Sequence, residues 1–291
     1  MLFENVNKIL MIQKITIEGY KSIKEQTVEL FPINILIGGN GIGKSNFISA
    51  FTLIHNLYER NLQNYVLTKG GSDSLLYMGK KETDHLSFDL FFAERGKDAH
   101  NRFIVNMKEA QDSLFIERID TAYHNGVSWH KQLHEVNKQE SSFKNDHTGQ
   151  AFYVNSFLRE FEVYHFHDTG DRSPMKGKCN MDDNVSLKNN GANIAAFLYY
   201  LKEKHPKHFT RIEKAVASVS PFFEGFCLMP NRLNEQLIQL EWKQKGTVDT
   251  YFNAYQYQTE HCVLSVWQRC CFSRICQGRS SLTSRNSDYI R

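Results

Sequence analysis

Residues 38–45 read Gly-Gly-Asn-Gly-Ile-Gly-Lys-Ser, a complete instance of the spacing G-x-x-x-x-G-K-[ST], and no other stretch constrains the chain as much. Glycines allow backbone angles closed to other residues and leave N–H groups uncovered, so such a segment can wrap an anion. Both flanks agree. Ile33-Asn34-Ile35-Leu36-Ile37 precedes it, a short apolar run that predicts a buried parallel strand. Phe47, Ala50, Phe51, Ile54, Leu57 and Tyr58 follow at helical spacing and predict a helix starting at Lys44. Strand, glycine loop and helix in that order describe a site for the phosphates of a nucleotide, helped by the partial positive charge of the helix N-terminus. In such a site Lys44 bridges the outer phosphates and the Ser45 hydroxyl ligates Mg²⁺. The competing reading is a glycine-rich turn that binds nothing, and the two flanks weigh against it.

With 291 residues, 41% of them hydrophobic, the chain can bury a sizeable core in one or two domains. No apolar run reaches the length of a membrane span, and Met1–Leu10 has neither a basic start nor an apolar centre, so a soluble cytoplasmic protein is expected. Met11 directly precedes an alternating strand, which makes residues 1–10 an expected upstream extension. The charge is uneven. Residues 257–291 hold Arg269, Arg274, Arg279, Arg285 and Arg291 against Glu260 and Asp288, a net +3 equal to that of the whole chain, so residues 1–256 are neutral. Overall basicity therefore gives no sign of a nucleic-acid surface, which needs basic residues clustered on one folded face. Cys262, Cys270, Cys271 and Cys276 crowd the same tail, leaving Cys179 and Cys227 as expected unpaired thiols.

Along residues 11–256, strands are expected at Ile12–Ile17, Gln26–Leu30, Leu86–Phe92, Arg102–Met107, Ser113–Arg118, Phe161–Phe166, Leu237–Trp242 and Tyr251–Tyr255. Asn125-Gly126 marks a hairpin turn before Val127-Ser128-Trp129. The polar stretches His130–Thr148 and Asp168–Asn190 read as loops, and Gly191–Lys204 and His208–Val219 as helices.

This order resembles the AAA family of ATPases related to the RecF, SMC and ABC-type nucleotide-binding domains. The matching blocks are Ile15-Thr16-Ile17-Glu18-Gly19-Tyr20-Lys21-Ser22-Ile23, Asn34 through Asn46, and Leu187-Lys188-Asn189-Asn190-Gly191-Ala192-Asn193-Ile194-Ala195 with Pro221-Phe222-Phe223 after it. The resemblance implies an α/β P-loop NTPase fold carrying an antiparallel β subdomain. It also implies a nucleotide-contacting set of Gly38, Gly39, Asn40, Gly41, Ile42, Gly43, Lys44, Ser45 and Asn46, with ATP and Mg²⁺ as ligands. Two protomers of such a family close head-to-tail over ATP, each offering a signature loop of the form L-S-D-G-T, and a D-E-P-E segment on a buried strand holds Mg²⁺ and polarises the attacking water. DNA or a nuclease is the kind of partner the relatives suggest.

Neither motif stands in this chain. After Tyr255-Gln256 it reads Tyr257-Gln258-Thr259-Glu260-His261-Cys262, and no apolar strand ending in two acids follows. Read one base out of register, however, codons permitted for residues 257–263 spell S-D-G-T-L-R, and a single lost T restores the preceding Leu. The same shift over Arg279–Asn286 permits I-I-I-D-E-P-E. Both motifs return in order and in one frame, so residues 257–291 read as an out-of-frame tail on an ATPase domain whose C-terminal part is missing. ATP binding is then expected without hydrolysis. If the shift is an error of sequence, the alternative is a complete ATP-hydrolysing enzyme in DNA repair or phage defence.

Other readings are weaker. The tail's Cys and His spacing fits no standard zinc finger, and its Ser/Arg content fits disorder. His165-Phe166-His167-Asp168 has metal-capable side chains but no third ligand at useful spacing. Lys21 and Arg172 stay open between a role near the nucleotide and a solvated surface. A kinase or GTPase built on the same loop conflicts with the β-rich insertion and the lack of N-K-x-D.

Overall fold

Strict alternation of apolar side chains in the first half of the chain builds a broad antiparallel sheet. The computed structural model describes residues 10–31, 34–94, 100–159, 161, 163–164, 173–247 and 251–253. It divides into two units, Met1–Val163 and Tyr164–Arg291.

In the first unit, β1 (Leu10–Tyr20) and β2 (Ile23–Glu29) form a hairpin. Helices α1 (Lys44–Tyr58) and α2 (Leu62–Thr68) follow, then β3 (His85–Glu94), β4 (His100–Ala110), β5 (Ser113–His124), β6 (Trp129–Lys138) and α3 (Gly149–Leu158). The six strands lie in the order β2-β1-β3-β4-β5-β6, each pair antiparallel. Ile15 and Ile17, Leu86, Phe88 and Leu90, and Phe103, Val105 and Met107 alternate onto one buried face. In β5 the register slips where Asn106 faces Arg118 and Met107 faces Ile116, so Glu117 is the extra residue of a bulge. That slip shifts the phase, and Ile119 joins Leu114 and Ile116 in the apolar core. Ala50, Leu53, Ile54 and Leu57 of α1, Leu62 and Val66 of α2, and Ala151 and Val154 of α3 complete this core.

The second unit contains β7 (Cys179–Asn180), α4 (Ile194–Lys204), α5 (Pro206–Val219), β8 (Phe223–Cys227), β9 (Pro230–Asn231), β10 (Asn234–Ile238), β11 (Glu241–Gln244) and β12 (Tyr251–Asn253). Two three-stranded sheets, β7-β10-β9 and β12-β11-β8, share a core with Ile194, Leu198, Phe209, Ile212, Val216, Phe223 and Trp242.

Several expectations need correction. Asn34–Ile37 is not a strand: Ile35 is 77% and Ile37 86% exposed, and every strand pair among the described residues is antiparallel. A parallel strand exists only beside neighbours that accept its hydrogen bonds, and none of the described strands lies against this run. His130–Thr148 is not a loop. Its first part is β6, whose polar residues hid the signal because it is a sheet edge with Leu133 and Val136 outside and Glu135 inside. Leu237–Trp242 is two strands, β10 and β11, parted at Gln239-Leu240. Asp168–Asn190 includes a short 3₁₀ turn at Pro174–Lys176 and β7. Leu10, assigned to the upstream extension, opens β1 opposite Glu94. Phe161, Val163 and Tyr164 lie outside any strand, and the rest of Phe161–Phe166 falls outside the described residues, as do residues 1–9, Arg172 and the tail from 254.

Candidate functional site

The glycine loop and the first turn of α1 form one exposed feature of the first unit. α1 begins at Lys44, as its periodicity requires, and its first helical bond runs from the Phe47 N–H to the Gly43 carbonyl at 2.9 Å. The first-turn N–H groups therefore have no partner within the helix. No side chain caps this end and no acidic residue stands in the first turn, so nothing in that turn offsets its partial positive charge. Gly43 occupies the N-cap with φ 94°, a left-handed angle that a side chain resists. A Cβ there would also press to 3.1 Å from the Ser22 hydroxyl, so the position needs glycine twice over.

Lys44 turns back over this loop. Its Nζ donates to the carbonyl oxygens of Gly38 at 2.7 Å and Gly39 at 2.5 Å. The ammonium thus rests on two carbonyls of the glycine loop. Ser45 is exposed on the same first turn. Gly38, Gly39, Asn40, Gly41 and Ile42 are exposed as well, so the loop is open to ligand.

The β1–β2 turn braces this end of the helix, a feature missed in the sequence although Tyr20-Lys21-Ser22 lies in one of the blocks quoted above. The Asn46 amide donates to Ser22 Oγ at 2.8 Å. Lys21 Nζ donates to Ser49 Oγ at 3.1 Å, and the Tyr20 hydroxyl lies 3.0 Å from the same oxygen. Lys21 is no freely solvated lysine. Burial, then the Lys69 ammonium, lowers the pKa of its ammonium, which also rides over the Tyr20 ring. Its left-handed φ of 50° marks the tight turn that carries it there.

The third sequence block has a structural task. Asn193, fully buried at the N-cap of α4, donates to the carbonyls of Asp183 at 2.8 Å and Ser186 at 2.7 Å. Its Oδ1 accepts from the Lys188 N–H at 2.8 Å. A Thr–His–Asp chain also occurs in the first unit. Thr121 Oγ1 lies 2.8 Å from His134 Nε2, and His134 Nδ1 lies 2.7 Å from Asp146 Oδ2. Thr121 is 0% exposed, so no substrate reaches its hydroxyl and the chain is a packing device.

No group of three or more metal-ligating side chains occurs among the described residues. The residues 165–168 and the tail cysteines lie outside them. Cys179 and Cys227 are unpaired, with both thiols pushed up in pKa by burial. No described helix is long and apolar enough to cross a membrane.

No curated protein matches the chain. A family model described as the AAA ATPase domain matches residues 11–256, a span that contains the antiparallel sheet, the glycine loop and the second unit's helices. On that match over most of its length, the chain belongs to the AAA ATPase domain family.

Proposed function

We propose that this chain binds ATP through Gly38–Asn46, with Lys44 on the outer phosphates and Ser45 on Mg²⁺. One observation carries the reading: an uncapped helix end without a single acid in its first turn has a lysine ammonium folded beside it on loop carbonyls alone. Phosphate oxygens answer both the open N–H groups and the ammonium. Membership of an ATPase family fits this ligand. The metal fits too. Ser45 offers the ion one exposed hydroxyl, and phosphate oxygens and water are the ligands that suit its remaining positions. Asn46, tied to Ser22, holds the first turn in place as the phosphates enter.

In the same reading, residues 257–291 are an out-of-frame tail on a domain of the RecF/SMC-like kind, and hydrolysis is lost with the D-E-P-E strand. The exposed Ile35–Ile37 run supports it, being an apolar strand sequence with no strand beside it among the described residues. Three purified proteins test both parts: this chain, its Lys44→Ala variant, and the product of a gene with one T restored ahead of codon 257. Expected are Mg·ATP binding by this chain, none by Lys44→Ala, and turnover by the frame-restored protein alone. Lys44-dependent turnover by this chain would sink the reading of its tail. Equal ATP binding by Lys44→Ala would sink the reading of the loop.

A further inference from the structure

The β1–β2 turn and the end of α2 gather hydrogen-bond donors in one place without an acid among them. Backbone pairing joins the turn to the segment after α2. The Lys21 N–H donates to the Leu75 carbonyl and the Tyr77 N–H to the Gly19 carbonyl, each at 2.9 Å, and Tyr20 bridges to Leu76. Tyr20 is fully buried and Tyr65, on α2, is 6% exposed. Burial raises the pKa of both phenols and each hydroxyl perturbs the other, so the two stay protonated and lie side by side. The Tyr20 hydroxyl shares Ser49 Oγ with the Lys21 ammonium, and that hydroxyl donates onward to the Asn46 carbonyl at 2.9 Å. Tyr20 and Ser49 are thereby satisfied. The Tyr65 hydroxyl is not: it is buried and makes no hydrogen bond of proper geometry among the described residues. Lys21 spends one of its three N–H donors on Ser49. Lys69, the C-cap of α2, holds its ammonium over the Tyr65 ring at 5.6 Å and, after burial, is the neighbour that depresses Lys21. Neither lysine has an ion pair among the described residues.

We infer that Lys21, Lys69 and Tyr65 form a binding site for one dianionic phosphate group, separate from the glycine loop. Two ammoniums held near one another repel, and a doubly charged anion between them turns that repulsion into attraction. The unpaired Tyr65 O–H supplies a neutral donor from the inner side, where a buried donor without a partner is costly. Lys21 is half-buried and Lys69 exposed, so the anion reaches both from solvent. Charge selects the ligand. A carboxylate carries one negative charge, as does each phosphodiester of a nucleic acid, whereas a phosphate monoester or free phosphate carries nearly two. Lys21 does not share the carbonyls that hold Lys44. Its left-handed φ of 50° and its bond to Ser49 keep it at the second turn of α1. Ser49 follows Ser45 by one helical turn on the same face, so the site adjoins the proposed nucleotide site without using its residues. Its phosphate therefore has two sources: free phosphate, or the terminal phosphate of a nucleotide held by the loop.

The test is equilibrium dialysis of radiolabelled inorganic phosphate against the full chain at low ionic strength, above the second pKa of phosphate. The parent protein is Lys44→Ala, which removes the ammonium of the loop. It should bind one phosphate per chain with a dissociation constant below about 1 mM, and an equal concentration of acetate should not displace it. Adding Lys21→Gln/Lys69→Gln should weaken binding at least about tenfold, and adding Tyr65→Phe instead should weaken it about three- to tenfold. An unchanged melting temperature certifies the fold of each variant. Absence of saturable binding by Lys44→Ala overturns the inference. So does binding that the lysine pair or Tyr65→Phe leaves unchanged, and so does displacement by acetate. The source is read with Lys44 intact and Mg·ATP saturating: one phosphate per chain still bound names free phosphate as the occupant, and none bound names the terminal phosphate of the nucleotide. Either result keeps the site. Because the decisive protein lacks Lys44, the reading of the loop can fail without touching this inference.

Discussion

Asn193 is a residue whose role changes between sequence and structure. It stands in a block that marks the family, yet every polar atom of its side chain serves the loop before α4. Asn193→Ala removes three hydrogen bonds of a fully buried side chain and should cost about 3 kcal/mol, read by urea unfolding. Asn193→Asp should be no milder, since a carboxylate then faces two carbonyl oxygens. Asp146 predicts a pH effect. Burial raises its carboxyl, but hydrogen bonds from the Thr148 hydroxyl and N–H and from His134 outweigh this and leave its pKa below the ordinary value. A carboxyl lowered on folding adds stability above its unfolded pKa and loses it as pH falls through the folded one. Asp146→Asn should therefore be less stable than wild type at neutral pH, and the gap should close below about pH 4. Equal pH dependence of the two proteins would refute it. None of this was legible from residue type, because Asn, Asp and His in polar stretches look alike until the fold assigns their partners.

At the scale of elements, the sequence anticipated the start of α1 near Lys44 and the strands β1 to β5 to within their ends, because both signals are local. It misread the elements defined by what lies beside them. Asn34–Ile37 has a strand's composition and lies exposed with no described strand beside it, while β6 looks like a loop and is a strand because β5 offers it an edge. Ile37→Ser should therefore change stability by less than about 0.5 kcal/mol, whereas Leu53→Ala, on the fully buried face of α1, should cost about 2–5 kcal/mol. A large loss from Ile37→Ser would mean that this run is packed after all. Helix α2 is capped from afar: the Glu140 carboxylate accepts from the Leu62 N–H at 3.0 Å and the Gln63 N–H at 2.8 Å. Glu140→Ala should cost about 1 kcal/mol, with Glu140→Gln milder, measured by thermal melting.

For the whole molecule, the weight falls on a domain that holds its phosphate loop but, in the proposed reading, not the strand that completes it. Restoring the frame should bury Ile35–Ile37 as well as start turnover, so amide exchange over residues 34–37 should slow in the frame-restored protein relative to this chain. Unchanged exchange there would count against the missing-strand account even if turnover appeared. The sequence by itself determined the loop, the helix behind it and the alternating strands, since each depends on angles and periodicities within a few consecutive residues. It carried the family as well, through blocks of adjacent residues. Only the tertiary structure decided that Tyr20, Lys21 and Ser22 brace the first turn of α1, that Asn193 and His134 serve packing, and that Lys21 and Lys69 meet beside Tyr65. Those facts depend on which distant segments meet, and burial and hydrogen-bond partnership exist only once the chain has folded.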